Sequence, residues 1–399
     1  MLTKKTYLTH VRCLECGHSM SYQPELEHCS QCDSPWLDAQ YDYAQVSQTW
    51  KNGISNNITS LWRYMDLLPP IPAEFIVSMG EGNTPLIRAN KLESLFGHSC
   101  IYIKDERQMP TNSFKDRQAS VAISVLNQQG IQECVLASAG NAAISYSAYT
   151  AWADIKLWAF ATPLVLSKKV REIAIYGAEV ITVSGTYDES KKAASDFAKE
   201  QAIHCDKGAK AIAGKESMKT IAFEIAEQLA YTQDKYKYWH APDWYIQAVS
   251  GGIGPLGVSK GFEELHAMGL IDRIPKIGII QVEGCAPMVK SMANNQEKVT
   301  PVIPTSRIVI LSTGKPGLAY QILRNAQLKN GGAMISVSDE EAFAMIPRLA
   351  QVQGISAEPA AAVAFAGLEK LIHAKTILPN ETVIVNCSGH TLPIEKYIT

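Results

Sequence analysis

The sequence predicts an α/β protein with two main domains and a small metal-held segment at its start. Three observations carry this. Beyond residue 45, short β-branched runs alternate with stretches of helical periodicity, the pattern of parallel sheets covered by helices. The chain has 399 residues, 46% of them hydrophobic, which is more than a single core usually absorbs. Four of the nine cysteines lie together near the start, and the other five are scattered through apolar segments.

Cys13 and Cys16 form one CxxC pair, Cys29 and Cys32 a second, with twelve residues between the pairs. That is tetrahedral zinc spacing, in which each pair places two thiolates on one knuckle and Gly17 relaxes the first turn. Four sulfurs close the coordination shell and leave no open position for catalysis, so a structural zinc ribbon is expected over residues 1–45. A segment of ~40 residues rarely folds without a metal or disulfides, which favours a staple over the contact module that zinc ribbons also form. Two redox pairs are the non-metal alternative.

Strands are expected at Ile101–Lys104, Cys134–Ala137, Lys156–Phe160, Glu179–Val183, Trp244–Val249, Lys276–Val282, Ala333–Val337 and Thr382–Asn386. Between them, Met218, Ile221, Ala222, Ile225 and Leu229 recur at helical spacing, and Ser167 to Gly177 opens on a capping residue and stops at glycine. The polar stretch Thr232 to Pro242 reads as a surface connection.

The 37 basic residues nearly cancel the 39 acidic ones, so no overall positive field attracts nucleic acid or an anionic membrane. A small-molecule substrate is expected instead. No apolar run approaches the ~18–20 residues of a membrane span, and the first residues lead to no signal-peptide core. With cysteines suited to a reducing compartment, a soluble cytoplasmic protein is expected.

The chemistry centres on Pro110-Thr111-Asn112-Ser113-Phe114-Lys115-Asp116-Arg117, a turn just before a helix through Ala122, Val125 and Leu126. Lysine can form an imine with an aldehyde cofactor, and its neutral amine can then move protons between substrate carbons. Read alone, Lys115 is a solvated charge at a helix start. Three further segments give it company. Ala137-Ser138-Ala139-Gly140-Asn141-Ala142 follows a strand and opens a helix, so its N–H groups can face an anion. Ser250-Gly251-Gly252-Ile253-Gly254-Pro255 can approach a phosphate closely, with Pro255 starting the next helix. Asn386-Cys387-Ser388-Gly389-His390 ends the last strand, where Ser388 is either a capping hydroxyl or a partner for a pyridine nitrogen. A nicotinamide reading of Gly252, Gly254 and Gly257 as GxGxxG, with Glu283 at the next strand end, leaves Lys115, Asn141 and the C-terminal segment without jobs.

In this order, these segments resemble the fold type II enzymes that use pyridoxal 5'-phosphate (PLP), over residues 76 to 390. Ser78-Met79-Gly80-Glu81-Gly82-Asn83-Thr84-Pro85-Leu86, Ser113-Phe114-Lys115-Asp116-Arg117, Lys219-Thr220-Ile221-Ala222-Phe223-Glu224-Ile225-Ala226 and Glu358-Pro359-Ala360 are similar to threonine synthase, some members of which also carry the CxxC pairs. The resemblance implies a tryptophan synthase β-like fold, two three-layer α/β domains with a cleft between. It assigns 46–120 with 205–399 to the larger, PLP-binding domain and 121–204 to the smaller.

The resemblance makes Lys115 the Schiff-base lysine. It places Phe114, Asn141, Ser250, Gly251, Gly252, Ile253, Gly254 and Ser388 at the cofactor, with Asn141 at the ring oxygen and Ser388 at the pyridine nitrogen. A neutral hydroxyl there makes the ring a milder electron sink, favouring elimination and replacement over transamination. Ser138, Ala139 and Gly140 would meet the substrate carboxylate, and Arg117 and Lys219 its phosphate, unless these two are ion-paired. Three positions depart from the family pattern: Ala142 stands for threonine, Asn112 for glycine and Gln118 for glycine. Asparagine tolerates a left-handed backbone. The implied reaction is O-phosphohomoserine and water to threonine and phosphate, with a serine or threonine dehydratase, or a β-replacement enzyme on phosphoserine similar to cysteate synthase, as alternatives. A homodimer is the oligomer the resemblance leaves open.

Overall fold

The structure, a computed structural model, describes residues 6–55, 57–138, 140–163, 167–233 and 238–390. Its strands are β1 (Leu8–Cys13), β2 (Ser19–Met20), β3 (Leu37–Tyr41), β4 (Leu86–Arg88), β5 (Ile101–Asp105), β6 (Glu133–Ala137), β7 (Lys156–Ala161), β8 (Glu179–Thr182), β9 (His204–Cys205), β10 (Trp244–Ala248), β11 (Lys276–Val282), β12 (Gly332–Val337) and β13 (Val383–Cys387). They fall into two compact units. The first runs up to Asn83 and adds Lys115–Glu224 and Leu256–Ile271; the second holds Thr84–Phe114, Ile225–Pro255 and the chain from Asp272.

The first unit contains two sheets. An antiparallel sheet in the order β2-β1-β3 carries the cysteine segment, and a parallel sheet in the order β8-β7-β6-β9 forms the body. Ala119, Ile123, Ala143, Ile144 and Tyr149 of helices Lys115–Gln128 and Asn141–Trp152 pack with Leu136, Leu157 and Ala159 of the parallel strands. A separate cluster joins Val135 and Phe160 to Ala194 and Ala198 of helix Tyr187–Glu200. Alternate strand residues thus feed different cores, which is why these strands read as continuous apolar runs.

The second unit has one sheet in the order β12-β11-β10-β13-β5-β4, parallel except for β4 at the edge. Helix Pro359–His373 buries its alanine-rich length on it, and a Cβ at Gly367 would lie 2.5 Å from Ile280. A larger residue there would lift the helix off the strands.

All eight expected strands are present with ends shifted by a residue or so. The sequence reading missed β1 to β4 and β9. Strands of two or three residues carry too little alternation to read, and β1 and β3 belong to a segment organised by cysteines. The stretch expected as a connection from Thr232 is corrected in part: the helix Ile212–Gln233 runs through Thr232, and Trp239 and Ala241 are buried. Among the described residues no helix is long and apolar enough to cross a membrane.

Candidate active site

The lysine segment is shaped by its backbone. Asn112 adopts a left-handed conformation with φ of 64°, its N–H donates to Met109 O at 2.9 Å, and its carbonyl accepts from Gly389 N at 3.1 Å. Phe114 N donates to the Ser388 hydroxyl at 3.0 Å, so Ser388 caps the turn that precedes the lysine. Asn112 and Phe114 thereby tie the C-terminal segment to the same turn.

Lys115 is the first residue of its helix, and its ammonium donates to Gln118 Oε1 at 3.1 Å. Burial lowers its proton affinity to about 8, and the charge of Asp206 works in the opposite direction. An amine that loses its proton near neutrality suits both imine formation and proton abstraction.

Arg117 lies fully buried. Both guanidinium arms meet Glu224, at 2.6 and 2.8 Å, and Nη1 also donates to Thr220 Oγ1 at 3.0 Å. Glu224 Oε1 further accepts from Asn83 N at 2.8 Å, in the Glu81-Gly82-Asn83 turn. A Cβ at Gly82 would stand 2.5 Å from Leu61 N, so only glycine lets this turn close on the pair. Removing one partner of a buried pair leaves a charge uncompensated. Glu224→Ala is therefore expected to lower unfolding stability by about 3–5 kcal/mol, read from urea denaturation. An unchanged midpoint would mean the pair is not buried in solution.

Lys219 is also engaged. It meets Glu216 at 2.5 Å and Glu264 at 3.1 Å, and lies 4.0 Å over the Tyr41 ring. Burial alone would raise Glu216, but Lys219 and Lys260 overcome it and hold the carboxyl at about 2. Burial prevails at Glu264, which is raised to about 7.

Asn141 opens its helix just after Gly140, and Gly140 N donates to Ser138 Oγ at 3.3 Å. Ala139 lies outside the described residues. Asn141 Oδ1 accepts from Lys169 at 2.6 Å, and Lys169 is 2% exposed. Sequence reading missed Lys169 because only the fold brings helix Ser167–Ile175 beside Asn141. Its one signal was a lysine on the helical face that buries Ile173.

In the second unit, Ser250 and Thr313 hydroxyls lie 2.7 Å apart, and a Cβ at Gly251 would come 3.7 Å from Thr313 Oγ1. Gly252 has φ of 97°, and a Cβ at Gly254 would press on the Gln247 amide at 2.4 Å. The helix starts at Ile253, so Pro255 is its third residue rather than its first, still within the turn whose N–H groups lack helical partners. The buried Ser312 hydroxyl, next to Thr313, has no hydrogen-bond partner among the described residues. A bare backbone at a helix start, with hydroxyls around it, fits a phosphate. Gly257 serves packing: a Cβ there would strike Met218 Cβ at 2.4 Å and Lys215 O at 2.6 Å. That accounts for the third glycine of the dinucleotide-like pattern without a dinucleotide.

The four N-terminal sulfurs lie within 4.8 Å of one another, with Cys13–Cys32 and Cys16–Cys29 at 3.6 Å. Zn–S bonds of ~2.3 Å in a tetrahedron place sulfurs about 3.8 Å apart, so the donor set fits one such ion. Gly17 N donates to Cys13 O and Asp33 N to Cys29 O, both residues with positive φ, giving two equivalent knuckles.

A desolvated lysine at a helix start and a glycine phosphate cradle on parallel α/β sheets define an enzyme that works through a bound pyridoxal aldehyde. The family described as "Pyridoxal-phosphate dependent enzyme" matches residues 77–389. The chain is 32% identical to threonine synthase of Methanosarcina acetivorans over 96% of its own length and 92% of that protein. It is 32% identical, with the same coverage, to threonine synthase of Methanocaldococcus jannaschii. The chain belongs to the threonine synthase branch of the pyridoxal-phosphate-dependent enzymes. Among solved structures, threonine deaminase isoform 2 of Solanum lycopersicum matches with a TM-score of 0.63 at 20% identity, covering 83% of this chain and 84% of that one. Diaminopropionate ammonia lyase of Escherichia coli gives 0.67 at 16%, covering 81% and 92%. At those identities the likeness is one of fold.

Proposed function

We propose that this protein converts O-phosphohomoserine and water to threonine and phosphate. The observation that carries the reading is the Lys115 amine, desolvated and lowered to about 8 at the start of its helix. Lys115 would hold the cofactor aldehyde, Ser250, Gly251, Gly252, Ile253 and Gly254 its phosphate, Asn141 its ring oxygen and Ser388 its pyridine nitrogen, with Phe114 alongside. When bound, PLP supplies the electron sink that makes the protons on the substrate α and β carbons removable. Lys115 Nζ takes those two protons in turn, so one base serves both carbons, and phosphate leaves from the γ carbon before water adds at the β carbon. Ser138, Ala139 and Gly140, the segment that leads to Asn141 in the sequence, hold the substrate carboxylate through their N–H groups.

Expelling a phosphate dianion needs a cation. We assign that task to Lys169, which is buried and donates to Asn141 Oδ1 at the start of the helix proposed to face the substrate; Arg117 and Lys219 lie in buried pairs with carboxylates. A zinc ion on Cys13, Cys16, Cys29 and Cys32 completes the proposal as a structural staple. With four thiolates on that ion and the other five cysteines not bridged, the chain suits the reducing cytoplasm.

Phosphate release from O-phosphohomoserine, with threonine as the other product, tests the assignment. Consumption of phosphoserine or threonine in its place would move the chain to a β-replacement enzyme or a dehydratase.

A further inference from the structure

Lys115 stands at one end of a hydrogen-bonded chain of side chains to which the proposed function gives no role. Its ammonium donates to Gln118 Oε1 at 3.1 Å. The Gln118 amide nitrogen donates to the Tyr146 hydroxyl at 3.2 Å. Tyr146 donates in turn to Asp206 Oδ2 at 2.8 Å, and Asp206 Oδ1 accepts from Gly208 N at 2.8 Å. Three places in the fold supply the members: the first turn of helix Lys115–Gln128, helix Asn141–Trp152, and the residue after β9, whose own N–H donates to Val135 O of β6. Gln118 is 3% and Tyr146 0% exposed.

The direction of the bonds is uniform. Each member donates toward Asp206, so the amide orientation is fixed by its neighbours and the dipoles align from an ammonium at one end to a carboxylate at the other. An aligned chain of this kind favours the protonated amine and holds it in one rotamer.

We propose that Gln118, Tyr146 and Asp206 form a positioning relay that seats the Lys115 amine whenever it is not bonded to the cofactor, and that Asp206 acts on the amine through it. The relay carries no proton, because an amide cannot pass one. Its work is to return Nζ to one place and to keep its charge state poised between base and acid. The proposal rests on Lys115 being the cofactor lysine.

The ionisable groups packed around the relay do not compete with it. Tyr146 on its helix, Tyr187 on helix Tyr187–Glu200 and Cys134 on β6 are all raised by burial and by Asp206 itself, and Cys205 on β9 is raised to about 11 by the same two causes. Arg117, next but one to Lys115, is matched by Glu224.

The test is the pH midpoint for acylation of Lys115 by acetic anhydride, read by peptide mass spectrometry on the full-length protein after cofactor removal with hydroxylamine. It reads the amine directly, so it does not depend on which substrate the enzyme takes. Asp206→Asn is expected to move the midpoint to lower pH by about half a unit or more, and Gln118→Glu to move it higher. Tyr146→Phe should shift it in the same direction as Asp206→Asn, and the double variant should match Asp206→Asn alone. The pH dependence of cofactor recapture should follow the same shifts. Unmoved midpoints in all three single variants would reduce the relay to packing and overturn the proposal. Additive shifts for Tyr146→Phe and Asp206→Asn would overturn it too, since Asp206 would then act through space. Should Asp206→Asn fail to fold, Tyr146→Phe and Gln118→Glu carry the same decision.

Discussion

Lys115→Ala should leave a folded protein that no longer keeps PLP after borohydride reduction and loses turnover by roughly a thousandfold or more. Two losses combine. The covalent anchor goes, and the base that moves protons on both substrate carbons goes with it. The substitution is expected to be mild for folding, because it removes a desolvated ammonium whose proton affinity burial has already lowered. Mass spectrometry of the reduced wild-type protein should find the added mass on the peptide carrying residue 115. If it lies on another lysine, or if the variant keeps its yellow colour and its rate, the assignment of the active site is wrong.

Removing the zinc proposed at the four cysteines should produce the larger structural effect. The cysteine segment does more than close on itself. Lys260 meets Asp38 at 2.9 Å and Ala39 O at 2.6 Å, both in β3, and Glu216 at 2.6 Å, while Tyr41 donates to Glu216 at 2.9 Å. Tyr41 and Glu216 are buried, so β3 seals a group of charges that water would otherwise reach. Between the CxxC pairs, Glu27 meets both His204 and Lys207, and Pro24 O accepts from Gln129.

Without the metal, four thiolates near one another repel, the knuckles open, and these buried partners lose their register. Chelation, or Cys16→Ser with Cys32→Ser, is expected to cost on the order of 3–5 kcal/mol and lower the apparent melting temperature by roughly 5 °C. One zinc per chain should appear in solution as the melt shifts. Zinc release with an unchanged melting curve would show that the segment is an appendage and not a brace.

Much of the site was legible because its chemistry is local. A CxxC pair is two residues on one turn, and a glycine run after a strand is a turn whose shape follows from its missing side chains. The sequence singles out Lys115 by its position before a helix and by the order of the segments around it, and the structure makes it the first residue of that helix. Asn112 was read as tolerating a left-handed backbone, and φ of 64° agrees. Arg117 and Lys219 illustrate the opposite case. The sequence leaves each between a phosphate contact and an ion pair, and the choice depends on Glu224, Glu216 and Glu264, of which Glu224 lies 107 positions from Arg117. Lys169 and Gln118 were invisible as working residues for the same reason, since a lysine or glutamine on a helix declares nothing about the neighbour that will bury it.

Alternation of apolar and polar residues, turn chemistry and cysteine spacing determined the α/β class, the longer strands, the four-cysteine cluster and the place of Lys115 at a helix start. Tertiary structure alone decided which charges pair, which helix face meets Asn141 and where the Lys115 amine rests when unbound. The division has a physical basis: backbone conformation responds to near neighbours, whereas hydrogen bonds and charge pairing in a desolvated interior are set by whatever the fold brings within about 3 Å.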